Sequence, residues 1–207
     1  MSPLELLIIA CYVSLGLELT VLHTPSVASS RRLWSPDDAE LAFYSPPFRR
    51  WFALSPIQKT LRFVLPLIIV YAVFLYPLAD LIWGPGMLGD YLYAPGTSVT
   101  LGAAAFMIAG RALTLSSVFA LRHYAADNHR ALQTHSIFRW SRNPGLVGMY
   151  LMFLGFWLVM PSLWFALGLV VYVLHMHAKV RLEEDYLGNR FGADFTNYRD
   201  RTPRYLL

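Results

Sequence analysis

Five long apolar stretches, almost free of charge, leave this chain few ways to fold. They run over residues 4–22, 61–83, 99–121, 146–160 and 162–177. At 1.5 Å of rise per residue, about 20 such residues cross a hydrocarbon core of roughly 30 Å as a helix. The first three stretches are long enough. The last two hold about 15 residues each and are parted only by Pro161, so they read as a short helical hairpin buried against the other helices. Composition agrees: 56% of the 207 residues are apolar, only 14% are charged, and the mean hydropathy is +0.44. A soluble domain carries about 25% charged residues. The expected fold class is therefore all-α, a polytopic membrane protein with about five transmembrane helices.

The charges that remain define an orientation. Of the 17 Lys and Arg residues, all but Arg111 fall in three segments, 31–62, 122–142 and 179–204. The connection 84–98 contains Asp90 and no basic residue, and the chain ahead of the first stretch has none. Positive-inside bias then places the N-terminus outside and the C-terminus in the cytoplasm, as in a multi-pass protein of a bacterial inner membrane. Met1–Leu4 lacks the basic residues of a signal peptide, so the first stretch is expected to be retained. The net charge of +4 belongs to membrane-facing loops, and no nucleic-acid partner is expected. The single Cys11 excludes a disulfide scaffold and suits apolar packing.

Residues 1–98 are expected to form two membrane helices joined by a long cytoplasmic connection. Its aromatics (Trp34, Phe43, Tyr44, Phe48, Trp51, Phe52) and the pairs Arg31-Arg32 and Arg49-Arg50 suit the headgroup level. Charges inside the stretches are costly and seek partners. Arg111 should pair with a carboxylate, Glu18 or Asp80, or with a polar ligand group. Asp80 and Glu5 lie near stretch ends, where water can reach them.

The chemistry is concentrated in residues 99–207. Residues 130–148 read RALQTHSIFRWSRNPGLVG, and residues 179–207 read KVRLEEDYLGNRFGADFTNYRDRTPRYLL. In order and spacing this half resembles the isoprenylcysteine carboxyl methyltransferase and phospholipid methyltransferase superfamily. That family carries RHPxYxG, a helical hairpin, EExxL, FGxxYxxY and a valine-proline-arginine end. Here RNPGLVG, residues 183–187, Phe191-Gly192 with Phe195 and Tyr198, and Thr202-Pro203-Arg204 fill those places. Asn143 stands where the family has His, Leu146 where it has Tyr, and Ser136 where it has a turn glycine.

The resemblance implies a cytoplasmic C-terminal cofactor region for S-adenosylmethionine. Its lining would be His123, Ala131, Leu132, Gln133, Phe138, Asn143, Pro144, Gly145, Leu146 and Glu183. Lys179 matches a basic residue near the acceptor, and Glu184 is a second candidate for acceptor positioning. The expected activity is transfer of a methyl group to an amphipathic or lipid-soluble acceptor (a carboxylate, amine or thiol) held in the bilayer. A helix start at Asn143-Pro144-Gly145 offers free N–H groups to a carboxylate, and Lys179 and Glu183 share a helical face. No His/Cys spacing suggests a metal. The alternatives are an NADPH-dependent membrane reductase of the sterol type, or a binding protein of the same fold without chemistry.

Overall fold

The computed structural model describes residues 2–21, 38–85, 90–126 and 132–206. Every regular element among them is helical. In chain order these are α1 (Pro3–Val21), α2 (Asp38–Leu41), α3 (Pro46–Phe52), α4 (Pro56–Trp83), α5 (Thr97–Ala126), α6 (Pro144–Val159), α7 (Leu163–Phe191) and α8 (Ala193–Arg201). Three of them, α4, α5 and α7, are long and apolar enough to cross a membrane, and α6 is shorter. Helix α1, 19 residues long and largely apolar, packs on α4 and α5. Large aliphatic and aromatic side chains stay exposed along these helices, among them Leu75, Ile82, Leu101, Ile108, Trp164 and Leu174. Such a surface suits lipid, and helices satisfy their own backbone there.

Local sequence sets the helix ends. Ser55 and Gln58 form a capping box ahead of Pro56 at the start of α4. A π-helical turn over Thr60–Val64 precedes Pro66, where the missing N–H would break a regular ladder. Pro161 separates α6 from α7, and Gly192, at φ +54°, separates α7 from α8. Helix α7 corrects the expected short hairpin: it does not stop near His177 but runs 29 residues to Phe191. It therefore carries the EE motif on the same rigid rod as its membrane stretch.

Helices α5 and α6 pack with their backbones in contact. Small residues at seven-residue intervals on α5, facing glycines of α6, make this possible. Ala103, Gly110 and Ser117 of α5 meet Gly155, Gly148 and Gly145 of α6. A Cβ on Gly148 would stand 2.5 Å from the Gly110 carbonyl oxygen, and one on Gly155 would stand 2.7 Å from that of Ala103. Small residues are the usual means of close approach where hydrophobic burial does not drive association. Above this seam, Phe153, Phe156 and Phe165 are fully buried, and Phe74 and Tyr172 meet Phe153 edge-on.

The buried Arg111 does find a carboxylate. Its Nη1 donates to Glu18 Oε2 at 3.0 Å and to Thr114 Oγ1 at 3.0 Å, and its Nε donates to Ser14 Oγ at 2.9 Å. Cys11 is packed in the core as expected. Asp80 departs from expectation: it is buried, and the Tyr91 hydroxyl donates to it. Past the end of α4, Tyr91 lies against Asp80 and Ser162, and Leu92 N donates to the Pro161 carbonyl at 2.8 Å. Tyr91, Leu92 and the α6–α7 turn therefore sit at one end of the bundle.

Candidate functional site

At the other end of the bundle, three separate motifs close on one carboxylate. Arg142 ends the short turn before α6. Its Nε donates to Glu184 Oε1 at 3.1 Å, and its Nη2 lies 2.9 Å from the same oxygen. Arg204 reaches Glu184 from the C-terminal segment, with Nη2 donating to Oε2 at 2.6 Å and Nε at 3.0 Å. Paired guanidinium donors on a carboxylate are among the stronger polar contacts a protein makes. The bond to Glu184 raises the Arg204 pKa above its ordinary value.

Backbone contacts complete this clamp. Arg142 Nη1 donates to the carbonyls of Arg199 and Thr202, at 2.9 and 3.1 Å, and Arg142 N donates to that of Pro203 at 3.0 Å. Asn143 Nδ2 donates to the Arg204 carbonyl at 3.1 Å. The RNP, EE and TPR motifs are thus one assembly. The amide of Asn143, in the family's histidine place, is used to hold the C-terminal segment.

Glu183 faces elsewhere. Neighbouring residues on a helix diverge by about 100°, so the two carboxylates of the EE pair cannot share a task. The Glu183 carboxylate lies 3.8 Å from Lys179 Nζ, one turn back, with the two side chains 33% and 21% exposed. Both side chains are therefore partly exposed. Glu184 has both carboxylate oxygens occupied by guanidinium groups, an arrangement suited to holding the chain rather than to moving a proton.

The remaining expected residues distribute around the start of α6. Gly145 packs against Ser117, whose Oγ would stand 3.0 Å from a Cβ there. The Asn143 side chain does not cap α6, so the first-turn N–H groups have no side-chain acceptor. Pro144 is buried and Leu146 half-buried against the core. Phe138 is buried in a 3₁₀ turn (Ser136–Arg139), and the Tyr198 hydroxyl donates to its carbonyl at 2.8 Å. Burial pushes that hydroxyl up to about 12. Leu132 and Gln133 are half-buried just ahead of this turn. His123 falls in the last turns of α5, but its side chain lies outside the described residues, as does the whole of Ala131.

Sequence reasoning missed two features of this region. Ser136 has φ +58°, the one positive-φ non-glycine among the described residues, at the position where the family has glycine. The second is the docking of the connection before α4. Ser45 N donates to Asp185 Oδ2 at 2.8 Å, and the rings of Phe43 and Tyr44 pack on Tyr186. The aromatics of that connection marked it only as interfacial; the acidic Asp185 in the EED run was the available signal.

The fold and this cluster define a helical membrane protein with a polar assembly of short motifs at one end of the bundle. Residues 97–194, a little under half the chain, match the phospholipid methyltransferase family model. That segment is similar to the phospholipid methyltransferase family, consistent with the isoprenylcysteine carboxyl methyltransferase and phospholipid methyltransferase superfamily. The class to which fold and match point is a membrane methyltransferase. No curated protein and no solved structure matches the chain.

Proposed function

We propose that this protein transfers a methyl group from S-adenosylmethionine to a lipid-soluble or amphipathic acceptor that reaches the site from the bilayer. The observation that carries this reading is the convergence of the RNP, EE and TPR motifs at one end of the bundle. S-adenosylmethionine supplies a methyl carbon on a sulfonium sulfur, passed on by in-line displacement. Such a reaction depends on positioning and on exclusion of water.

The residues present fit that group. The uncapped N-terminus of α6 suits the carboxylate of its amino-acid head. The accessible Glu183 carboxylate suits a ribose hydroxyl or the ammonium of that head. Lys179, 3.8 Å from Glu183, would orient an acceptor carrying negative charge. Glu184, Arg142 and Arg204 fix the elements that carry these groups. The Lys and Arg distribution supports a cytoplasmic setting for this end of the bundle.

Calorimetry of the purified full chain with S-adenosylmethionine and, separately, with NADPH tests the reading. Saturable binding of S-adenosylmethionine alone is expected. Tight NADPH binding without S-adenosylmethionine binding would replace it with a membrane reductase, and binding of neither with a protein that kept the fold and lost the chemistry.

A further inference from the structure

A second polar space lies beside the motif cluster and shares none of its charged residues. It is a cavity of about 580 Å³ between α8 and the segment leading into the 3₁₀ turn. Thr134, His135 and Arg139 line it on one side and Asp194, Asn197 and Arg201 on the other. Leu132, expected to line the cofactor region, also borders it, with Tyr198 and Thr202, whereas Lys179, Glu183 and Asn143 do not. Its volume is that of an ordinary small-molecule site.

The charges of this cavity differ from those around it. Arg142 and Arg204 are consumed by Glu184, and Arg199 lies 3.5 Å from Asp200. Among the described residues Arg139 makes no hydrogen bond or ion pair, and Arg201 spends only Nε, on the Asn197 carbonyl at 3.0 Å. Asp194 lines the same cavity yet forms no ion pair with either arginine. Two guanidinium groups therefore face one space with most of their donors free, beside the amide of Asn197 and the hydroxyl of Thr134. Planar N–H forks of this kind match the oxygens of a phosphate. Trp140, next to Arg139 and 64% exposed, gives this face an aromatic anchor of the kind found at headgroup level.

We propose that this cavity binds a phosphate group, with Arg139 and Arg201 as its principal donors and Asp194 opposing an excess of negative charge. The ligand is a phosphate ester at the membrane surface, held by charged groups other than the Glu183 and Lys179 assigned above to methyl transfer.

The test measures binding to the full chain in neutral detergent, using dioctanoyl phosphatidylglycerol and, in a separate arm, inorganic phosphate. The parent should bind the lipid, and the double variant Arg139→Gln, Arg201→Gln should bind it at least tenfold more weakly, since a lost charge-assisted hydrogen bond commonly costs about a decade of affinity. Asp194→Asn should bind as well as the parent or more tightly. Equal competition by inorganic phosphate, lost in the same double variant, would identify free phosphate as the source. If the double variant fails to fold, Arg139→Gln alone decides, because the Arg139 side chain makes no hydrogen bond or ion pair among the described residues and its loss should still weaken binding severalfold. Unchanged lipid and phosphate binding in these variants, or no binding by the parent, overturns the proposal. S-adenosylmethionine binding measured on the same samples separates this outcome from failure of the proposed function.

Discussion

Glu184 and Arg204 are joined by 2.6 and 3.0 Å bonds to one carboxylate oxygen, although they stand 20 positions apart with the whole of α8 between them. The contact fastens the C-terminal segment to α7, and Arg142 fastens the same carboxylate to the start of α6. Glu184 is only 13% exposed, so losing its charge strands two guanidinium groups. Breaking a buried pair on one side costs about 3–5 kcal/mol, and the partly exposed Arg204 lowers the expectation here to roughly 2–3 kcal/mol. Glu184→Gln should therefore lower the unfolding temperature of the detergent-solubilised protein. If stability is unchanged and only turnover falls, Glu184 acts on substrate instead.

Arg111 and Glu18 form the corresponding pair inside the bundle. Both side chains are at least nine-tenths buried, and their contact is 3.0 Å. Arg111→Ala leaves the Glu18 carboxylate in an apolar surrounding, at a cost of about 3–5 kcal/mol. Folded yield should drop, and Glu18→Gln added to it should recover much of the loss. Asp80, engaged with Tyr91, should give no recovery when neutralised. A double-mutant cycle reads the coupling directly.

Gly148→Ala tests the seam between α5 and α6. The added Cβ would sit 2.5 Å from the Gly110 carbonyl oxygen and 2.8 Å from Thr114 N, both backbone atoms that cannot swing aside. Overpacking of this kind costs about 1–3 kcal/mol. Gly102→Ala is the control, since nothing lies within 4 Å of its Cβ direction. It should leave thermal stability equal or slightly raised, because alanine favours the helix. Equal stability of both variants would mean that the helices separate without cost.

How much of this was legible beforehand depended on scale. Apolar runs of 19 to 23 residues announce membrane helices whatever they pack against, and short motifs in fixed order announced the family half. The seam was harder, because Ala103, Gly110 and Ser117 look like ordinary small residues until a partner helix supplies their seven-residue register. The full length of α7 was hidden for a different reason. Its charged half, from Lys179 to Arg190, carries only a sparse apolar face, with Val180, Leu182 and Tyr186 buried, and lacks the continuous apolar run that marks the membrane stretch. The clamp on Glu184 joins residues distant in sequence, and no local pattern encodes such a meeting.

Ser136 offers a test of local strain. At φ +58° its Cβ meets a steric penalty that glycine escapes, about 1–2 kcal/mol. Ser136→Gly restores the family's residue at this turn. It should stabilise the protein by up to about 1 kcal/mol, less than the full penalty, because glycine also gains freedom in the unfolded chain. Chemical denaturation compares the two. A loss of stability would show that the serine side chain holds the turn by a contact that offsets the strain.

Glu183 and Lys179 separate cofactor binding from turnover. Under the proposed function, Glu183 accepts hydrogen bonds from the cofactor, whereas Lys179 acts on the acceptor. Both are partly exposed and 3.8 Å apart, so their mutual attraction is weak and neither variant should unfold the protein. Glu183→Gln keeps the shape and removes the charge. Hydrogen bonds to charged groups contribute about 1.5–3 kcal/mol, so S-adenosylmethionine affinity should fall roughly 10- to 100-fold. Lys179→Met should keep cofactor affinity within about threefold, since a weak ion pair is worth less than 1 kcal/mol, and should reduce turnover. The double variant shows whether the two effects are independent, as separate ligands require. Parent-like cofactor affinity in Glu183→Gln, with unchanged unfolding temperature, would remove this carboxylate from the site and leave the pair as an ordinary i, i+4 contact on the surface of α7.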